Sequence, residues 1–446
     1  MTDELADLID EVVEAGEADK EAKDIQAILA NQDSEEIALL LESLPLDQRL
    51  DIWQMIEQEE KLDVLIDMRS DPRESILDEL SRDEIDALLT DLEAEELIEL
   101  AESLPNRVVD RAFHKMDEKQ QAWFRSAQQY DDDEAGHWVG HQMMVLPQNA
   151  RVRDAMRMLR REHPDYCDVI YLINRAGQFS EAVKISSVLG EPDHIPLVDL
   201  SEEEFTVIRG QEDSVDAGLK VQKSGFASLP VVDEQEKLLG RLDIGTASEI
   251  VNEYYEGQLM ANAGMDEDED LFSPVKKSAQ NRAVWLGINL LTAFAASWFI
   301  GLFEGTLQQV VALAVLMPVV ASMGGIAGSQ TLTLIIRGLA LGQITTANLG
   351  ALLKKELSVG GLNGVIWALV IGAVASIWFG NMMIGVVIGL AILVNILAAA
   401  ASGVFVPVVL DRLKLDPALS GSVILTTVTD IVGFVAFLGL GTLLLI

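Results

Sequence analysis

The chain has 446 residues, of which 32 are Lys or Arg and 72 are Asp or Glu, giving a formal charge of −40. So large a carboxylate excess repels phosphate backbones and anionic lipid headgroups, which argues against nucleic acid as a partner. The single cysteine, Cys167, leaves no intrachain disulfide and no cysteine-based metal site.

The charge is unevenly distributed. From Ala283 onward five basic residues (Arg337, Lys354, Lys355, Arg412, Lys414) balance five acidic ones (Glu304, Glu356, Asp411, Asp416, Asp430). The whole negative charge therefore lies in the first 282 residues. Two solvents are implied, water for the first part and lipid for the second. An acidic surface can serve solubility or tolerance of high salt alone. It can also report cation concentration, because crowded carboxylates need cations to compact.

In chain order, MTDELADLIDEVVEAGEADK at the N-terminus is acidic and lacks an apolar core, so no signal peptide is read there and the region is expected in the cytoplasm. Residues 1–130 read as an acidic, all-α, superhelical domain. Leu39, Leu40 and Leu44, and again Leu88, Leu89 and Leu92, fall at helical spacing. ESLP at Glu42–Pro45 recurs at Glu102–Pro105, a hint of a helical repeat. Over 137–256 strand-like runs appear, DVIYLIN at 168–174 and ASLPVVD at 227–233. They alternate with helical runs at 152–162 and 214–225, giving two similar halves of a small α/β tandem. MDEDED at 265–270 is an acidic linker, and the segment from about 271 to 282 is expected to lead into the first membrane helix.

Five stretches over 283–446 are long and apolar enough to cross a bilayer: roughly 284–303, 307–336, 357–379, 382–410 and 418–446. The second is interrupted by Pro318 and Gly324-Gly325. Lys276, Lys277 and Arg282 precede the first stretch. Arg337, Lys354 and Lys355 separate the second and third, and Arg412 and Lys414 the fourth and fifth. The other two connections carry no Lys or Arg, so the N-terminus is placed inside and the C-terminus outside.

An ionisable group in lipid costs roughly 2.5 kcal/mol or more at mid-depth and marks function. Asp430, in LTTVTDIVGF behind Thr426, Thr427 and Thr429, is read as the one such group well inside an apolar stretch. A protonated Asp bonded to a neighbouring helix would be structural. A cation site on a watery path is the functional alternative. Mg²⁺ dehydrates reluctantly, so one carboxylate from each of two chains could hold the hydrated ion. In the second stretch Gly324, Gly325, Gly328, Ser329 and Gln330 read as pore lining, although the G-x-x-x-G spacing of Gly324 and Gly328 equally suits close packing. Gly360, Gly361 and Gly364 read as packing, and Asn395 as a helix–helix hydrogen bond.

FASLPVVDEQEKLLG (226–240), RAVWLGINLLTA (282–293), MGGIAGSQTLTLIIRGLA (323–340) and DPALSGSVILTTVTD (416–430) together resemble the MgtE family of Mg²⁺ transporters over nearly the full length. The resemblance implies an acidic N domain, a CBS-domain pair over 137–256, a connecting (plug) helix over 257–282 and a five-helix membrane domain. It also implies a homodimer with the pore between chains. Asp430 would be the pore carboxylate, lined by Thr426 and Thr427, and cytoplasmic Mg²⁺ would close the pore by drawing the acidic domains together. It allows an adenine nucleotide at the CBS pair. The place implied is the inner (plasma) membrane.

Two departures stand out. The family's second-helix GGN reads Gly324-Gly325-Ile326 here. Positions expected to carry sensor carboxylates read Val215, Gly225, Thr246, Tyr254, Gly257 and Gln258, while Asp51, Asp83 and Glu249 fall where sensor acids are expected. Gating is therefore expected to be weakened or rerouted through acids such as Asp243, Glu253 and Glu256. The rival readings are a proton- or ion-coupled transporter of another divalent cation such as Co²⁺, and a membrane-anchored cation sensor that conducts nothing. No nucleophile–base motif suggests an enzyme.

Overall fold

The structure, a computed structural model, describes residues 8–9, 22–89, 92–101, 103–160, 166–202, 205–265 and 269–446. It divides into two compact units, Met1–Gly257 with Asp268–Pro274, and Gln258–Glu267 with Val275–Ile446.

The first unit begins with short helices: α1 (Ala22–Leu29), α2 (Ser34–Glu42), α3 (Leu46–Met55), α4 (Lys61–Asp67), α5 (Ser70–Leu77), α6 (Arg82–Leu88), α7 (Ala94–Ala101), α8 (Asn106–Lys115) and α9 (Glu118–Ala127). Polar caps start several of them. Asp33 accepts from Glu36 N, Ser81 and Glu84 form a capping box, and Asp117 accepts from Lys119 N and Gln120 N. Leu40, Leu44, Leu88, Leu89 and Leu92 all enter one apolar core with Ile37, Trp53, Leu65 and Leu97.

Helices this short leave many terminal carbonyls unsatisfied. Two buried arginines take them up. Arg49 on α3 donates to Leu41 O and Leu44 O at the end of α2, to Ser75 Oγ, and to the Asp270 carboxylate at 2.6 Å. Arg73 on α5 serves Ile66 O and Met68 O at the end of α4, together with Glu99 O.

The rest of this unit is a repeated β-α-β-β module, as expected of a CBS pair. In one copy β1 (Val145–Pro147) pairs parallel with β2 (Val169–Ile173), which pairs antiparallel with β3 (Phe179–Lys184). In the other, β4 (Ile208–Arg209), β5 (Ser228–Val232) and β6 (Leu238–Asp243) repeat that order and sense. Helices α10 (Val152–Met158) and α12 (Ser214–Ser224) follow β1 and β4, and α11 (Ile185–Val188) follows β3. Gly225 ends α12 at φ 75°, a conformation glycine adopts at little cost. The copies join through buried Tyr171, whose hydroxyl lies 2.8 Å from Ser228 Oγ.

The region 257–282, which the resemblance implies to be one connecting helix, is divided: α13 (Ile244–Asn262) continues from β6 into it, and α14 (Val275–Gly301) begins before its end, so the segment from about 271 to 282 leads into the first long apolar helix as expected.

The second unit holds five helices of membrane-spanning length: α14, α16 (Val311–Ala340), α17 (Leu349–Phe379), α18 (Met382–Arg412) and α19 (Pro417–Leu445), with short α15 (Glu304–Gln309) between the first two. Gly380, at φ 62°, ends α17, and Asn381 Oδ1 caps α18 by accepting from Met383 N. α17 and α18 run antiparallel along a seam of small residues. A side chain on Gly360 would meet Ala400, on Gly364 Leu393, on Gly372 the carbonyl of Gly385, and on Gly389 the carbonyl of Ala368.

That seam is testable. Gly389→Val is expected to cost about 1–3 kcal/mol or more, because the obstruction is backbone and cannot turn aside. Gly361→Ala, whose new methyl would meet only Leu397 at 3.8 Å, should leave stability unchanged. Thermal unfolding of detergent-purified variants separates the two cases.

Candidate ion-conducting site

Asp430 stands at the middle of α19, thirteen residues from Pro417 and fifteen from Leu445. At 1.5 Å per residue this is about 20 Å from the first end. The inward stripe of α19 is Gly421, Leu425, Thr429, Gly433, Phe437 and Gly441. Asp430 is one residue round from it and half-exposed. Among the described residues its carboxylate has no hydrogen bond or ion pair.

Thr426 and Thr427, one turn earlier on the same side, donate to Ser422 O at 2.8 Å and Val423 O at 2.7 Å. Their hydroxyl protons are occupied by the helix itself, so the free lone pairs make them acceptors. Acceptors beside an anion suit a cation.

The level of Asp430 on the neighbouring helix follows from glycine contacts. Gly433 faces Val320, Gly328 faces Leu425, and Gly421 faces Leu332. α16 and α19 thus run antiparallel, one residue for one, and Asp430 lies level with Met323–Gly324.

Of the two readings of Pro318 and Gly324-Gly325, a pore-lining break and close packing, α16 shows no break and runs from Val311 to Ala340. Gly324 and Gly328, open to either pore lining or close packing from their spacing, are both buried. A side chain on Gly324 would collide with Asn395, and one on Gly328 would press on Leu425 at 3.0 Å, so these two glycines serve close packing. The open side of α16 carries Gly325, Ile326, Ser329, Gln330 and Thr333. There Gly325 has open space, and Ile326 is 57% exposed.

Asn395 on α18 fills the slot left by Gly324 and Gly433. It is fully buried and donates to Val320 O at 2.9 Å, the expected helix–helix bond. One asparagine thereby ties α16 at the level of Asp430 to the centre of the bundle.

Sequence reasoning missed Glu356. Next to Lys354 and Lys355 it read as part of a charged loop, with the helix beginning near 357. α17 instead begins at Leu349, and Glu356 is 4% exposed inside the bundle. It accepts from Thr331 Oγ1 of α16 at 3.1 Å and pairs with Lys355.

The cytoplasmic acids are arranged differently. Asp51 and Asp83 are exposed on α3 and α6. Asp243 accepts from Gly245 N and Thr246 N and lies 3.8 Å from Arg241. Glu256 pairs with Arg69 at 3.2 Å. Glu253 is on α13 and has an interaction partner. Glu249 is exposed as a residue, yet loss of water around its carboxyl pushes its pKa above the ordinary value, with repulsion from Glu99, Asp243, Asp67 and Glu35 adding to the shift. Desolvation likewise raises Asp67 and Glu96. Among the described residues no three His, Cys, Asp or Glu side chains converge closely enough to hold a metal ion.

Comparison with known proteins agrees with this division. Residues 317–440 match the MgtE divalent cation transporter family and residues 32–133 the MgtE intracellular N domain. The magnesium transporter MgtE of Bacillus subtilis is 27% identical over 316 residues, 70% of each chain. That of Thermus thermophilus is 26% identical over 335 residues, 74% of each. Among solved structures, a cystathionine beta-synthase pair domain from Shewanella oneidensis is 32% identical and covers 38% of this chain and 98% of its own, with a TM-score of 0.34. The cytosolic domain of the Mg²⁺ channel MgtE in complex with ATP is 16% identical and covers 54% and 98%, with a TM-score of 0.47. The chain belongs to the MgtE family of divalent cation transporters.

Proposed function

We propose that two copies of the chain form a Mg²⁺ channel in the inner membrane, with Asp430 of each copy flanking a hydrated ion at their shared axis. One observation carries this reading: a carboxylate at mid-helix, half-exposed and without a partner among the described residues. An unpaired charge at that depth is expensive, and a passing cation offsets the cost. Thr426 and Thr427 supply oxygen one turn before it, Gly325 leaves open space near its level and Ser329 and Gln330 lie further along the open side of α16, while the exposed side of α14 (Leu286, Leu291, Phe294) offers lipid or a second copy an apolar face. The distribution of Lys and Arg supports a cytoplasmic N-terminus and an external C-terminus.

Mg²⁺ uptake into proteoliposomes tests the reading. Uptake should follow the Mg²⁺ gradient and membrane potential. Uptake that instead requires a proton gradient would favour a coupled transporter, and no uptake would leave only a sensor.

Regulation is proposed to run through the acidic surroundings of Glu249. Glu249, Asp67 and Glu96 all have raised pKa values, so the folded state binds more protons than the unfolded one just above the ordinary carboxylate range. Their contribution to stability therefore falls as pH rises through that window. At neutral pH Glu249 is repelled by Glu99, Asp243, Asp67 and Glu35, and Mg²⁺ should relieve that repulsion. The thermal midpoint of the purified protein is expected to rise with added Mg²⁺ at pH 7, and the increment to shrink near pH 5. An increment as large at the lower pH would contradict this. Because several family sensor positions lack carboxylates, closure by internal Mg²⁺ in patch-clamp recording should be weak, and strong closure would overturn that part.

A further inference from the structure

We infer that Glu356 is a positioning residue for ion selection, acting through Thr331 on the inner half of α16. The inference rests on the reading of α16 as a pore-lining helix.

Glu356 lies seven residues, about 10 Å, along α17 from Leu349. It is 4% exposed, a location that a carboxylate adopts only when satisfied. One oxygen accepts from Thr331 Oγ1 at 3.1 Å, and the other pairs with Lys355, whose side chain is 57% exposed. Lys355 thus neutralises Glu356 from the surface while Glu356 reaches inward.

Thr331 is pinned from a third side. Gly403 of α18 has no side chain because Thr331 Cβ would stand 2.8 Å from it and Gly328 O 3.0 Å. α17 and α18 therefore converge on the Thr331 side chain of α16, Glu356 at its hydroxyl and Gly403 at its carbons. α16 and α17 touch each other sparsely, with α18 packing against both, and the Thr331–Glu356 bond is a polar tie between them. Ser329, Gln330 and Thr333 lie within two residues of Thr331 on the opposite, open side of α16. Rotation or slippage of the helix at Thr331 would move all three. A buried tie of this kind sets which oxygens face the path, and so which ion's hydration shell they fit.

The test is Mg²⁺ and Co²⁺ uptake by the full chain in proteoliposomes. Thr331→Val, which keeps the shape and removes the hydroxyl, and Glu356→Ala should each shift the Mg²⁺/Co²⁺ uptake ratio by about five-fold or more. The double variant should do no more than either alone, because both remove one interaction. Thr331→Ser and Glu356→Gln, which keep a donor and an acceptor, should stay near wild type. An unchanged ratio in Thr331→Val, effects that multiply in the double variant, or Glu356→Gln as damaging as Glu356→Ala would each overturn the inference. Wild-type uptake that depends on Asp430 with no ratio change in Thr331→Val sinks this inference alone. Uptake indifferent to Asp430 sinks the pore reading beneath it.

Discussion

Asp430→Asn is expected to remove Mg²⁺ uptake while leaving the folded protein as stable as before, or more so. The two halves of that expectation come from one fact. Among the described residues the carboxylate has no protein partner, so replacing it breaks no bond and removes a charge that is costly at mid-membrane. For the ion the balance is opposite. A divalent cation about 5 Å from a carboxylate gains roughly 6 kcal/mol at an effective dielectric constant of about 20. Losing even half of that from the barrier slows passage by about 100-fold. Asp430→Ala should behave alike. Growth of a transport-deficient strain on limiting Mg²⁺, together with the thermal midpoint of each purified variant, checks both halves. Wild-type growth would remove Asp430 from the path. A large loss of stability would mean that the carboxylate is a structural bond.

Arg49→Ala is expected to have the largest effect on stability, about 3–5 kcal/mol in the helical N-terminal region. Arg49 is 1% exposed, and its guanidinium answers three carbonyls at the end of α2, a serine and the nearly buried Asp270. Removing it strands all of them, and the uncompensated carboxylate is the costliest. Asp270→Asn should cost less, since the carbonyls keep their donor. Limited proteolysis of the membrane-embedded protein, followed between α2 and α5, would show the difference. Equal resistance of Arg49→Ala and wild type would contradict this account.

Much of this architecture was legible in the residues. The charge boundary near Ala283 and five long apolar runs fix the water and lipid parts, because burial of charge in lipid is too costly to be ambiguous. The runs 168–174 and 227–233 emerge as β2 and β5, since short, apolar, β-branched segments between turns have few other uses. Asn395 was legible for a similar reason: an amide in an apolar helix must bond to another helix.

What escaped was rotational. Periodicity says that Gly324, Gly325 and Gly328 are small, but only the packing of Asn395 and Leu425 shows that the first and third face inward and the second outward. Glu356 escaped because its neighbours Lys354 and Lys355 make the segment read as loop, although one turn of helix suffices to point a lysine out and a glutamate in. Arg49 and Arg73 escaped because an arginine in an acidic helical region ordinarily reads as a solvated charge. The broken connection over 257–282 carries apolar and acidic residues that suit helix and linker alike.

For conduction past Asp430, water and divalent ions must reach the face of α19 that carries it. Thr426→Cys, on a Cys167→Ala background that leaves no other thiol, places a reporter one turn from Asp430 on that face. Reaction of reconstituted protein with a small cationic methanethiosulfonate is the measurement. Modification is expected to block Mg²⁺ uptake and to be slowed by Mg²⁺. A thiol that stays unmodified, or reacts at a rate indifferent to Mg²⁺, would contradict it.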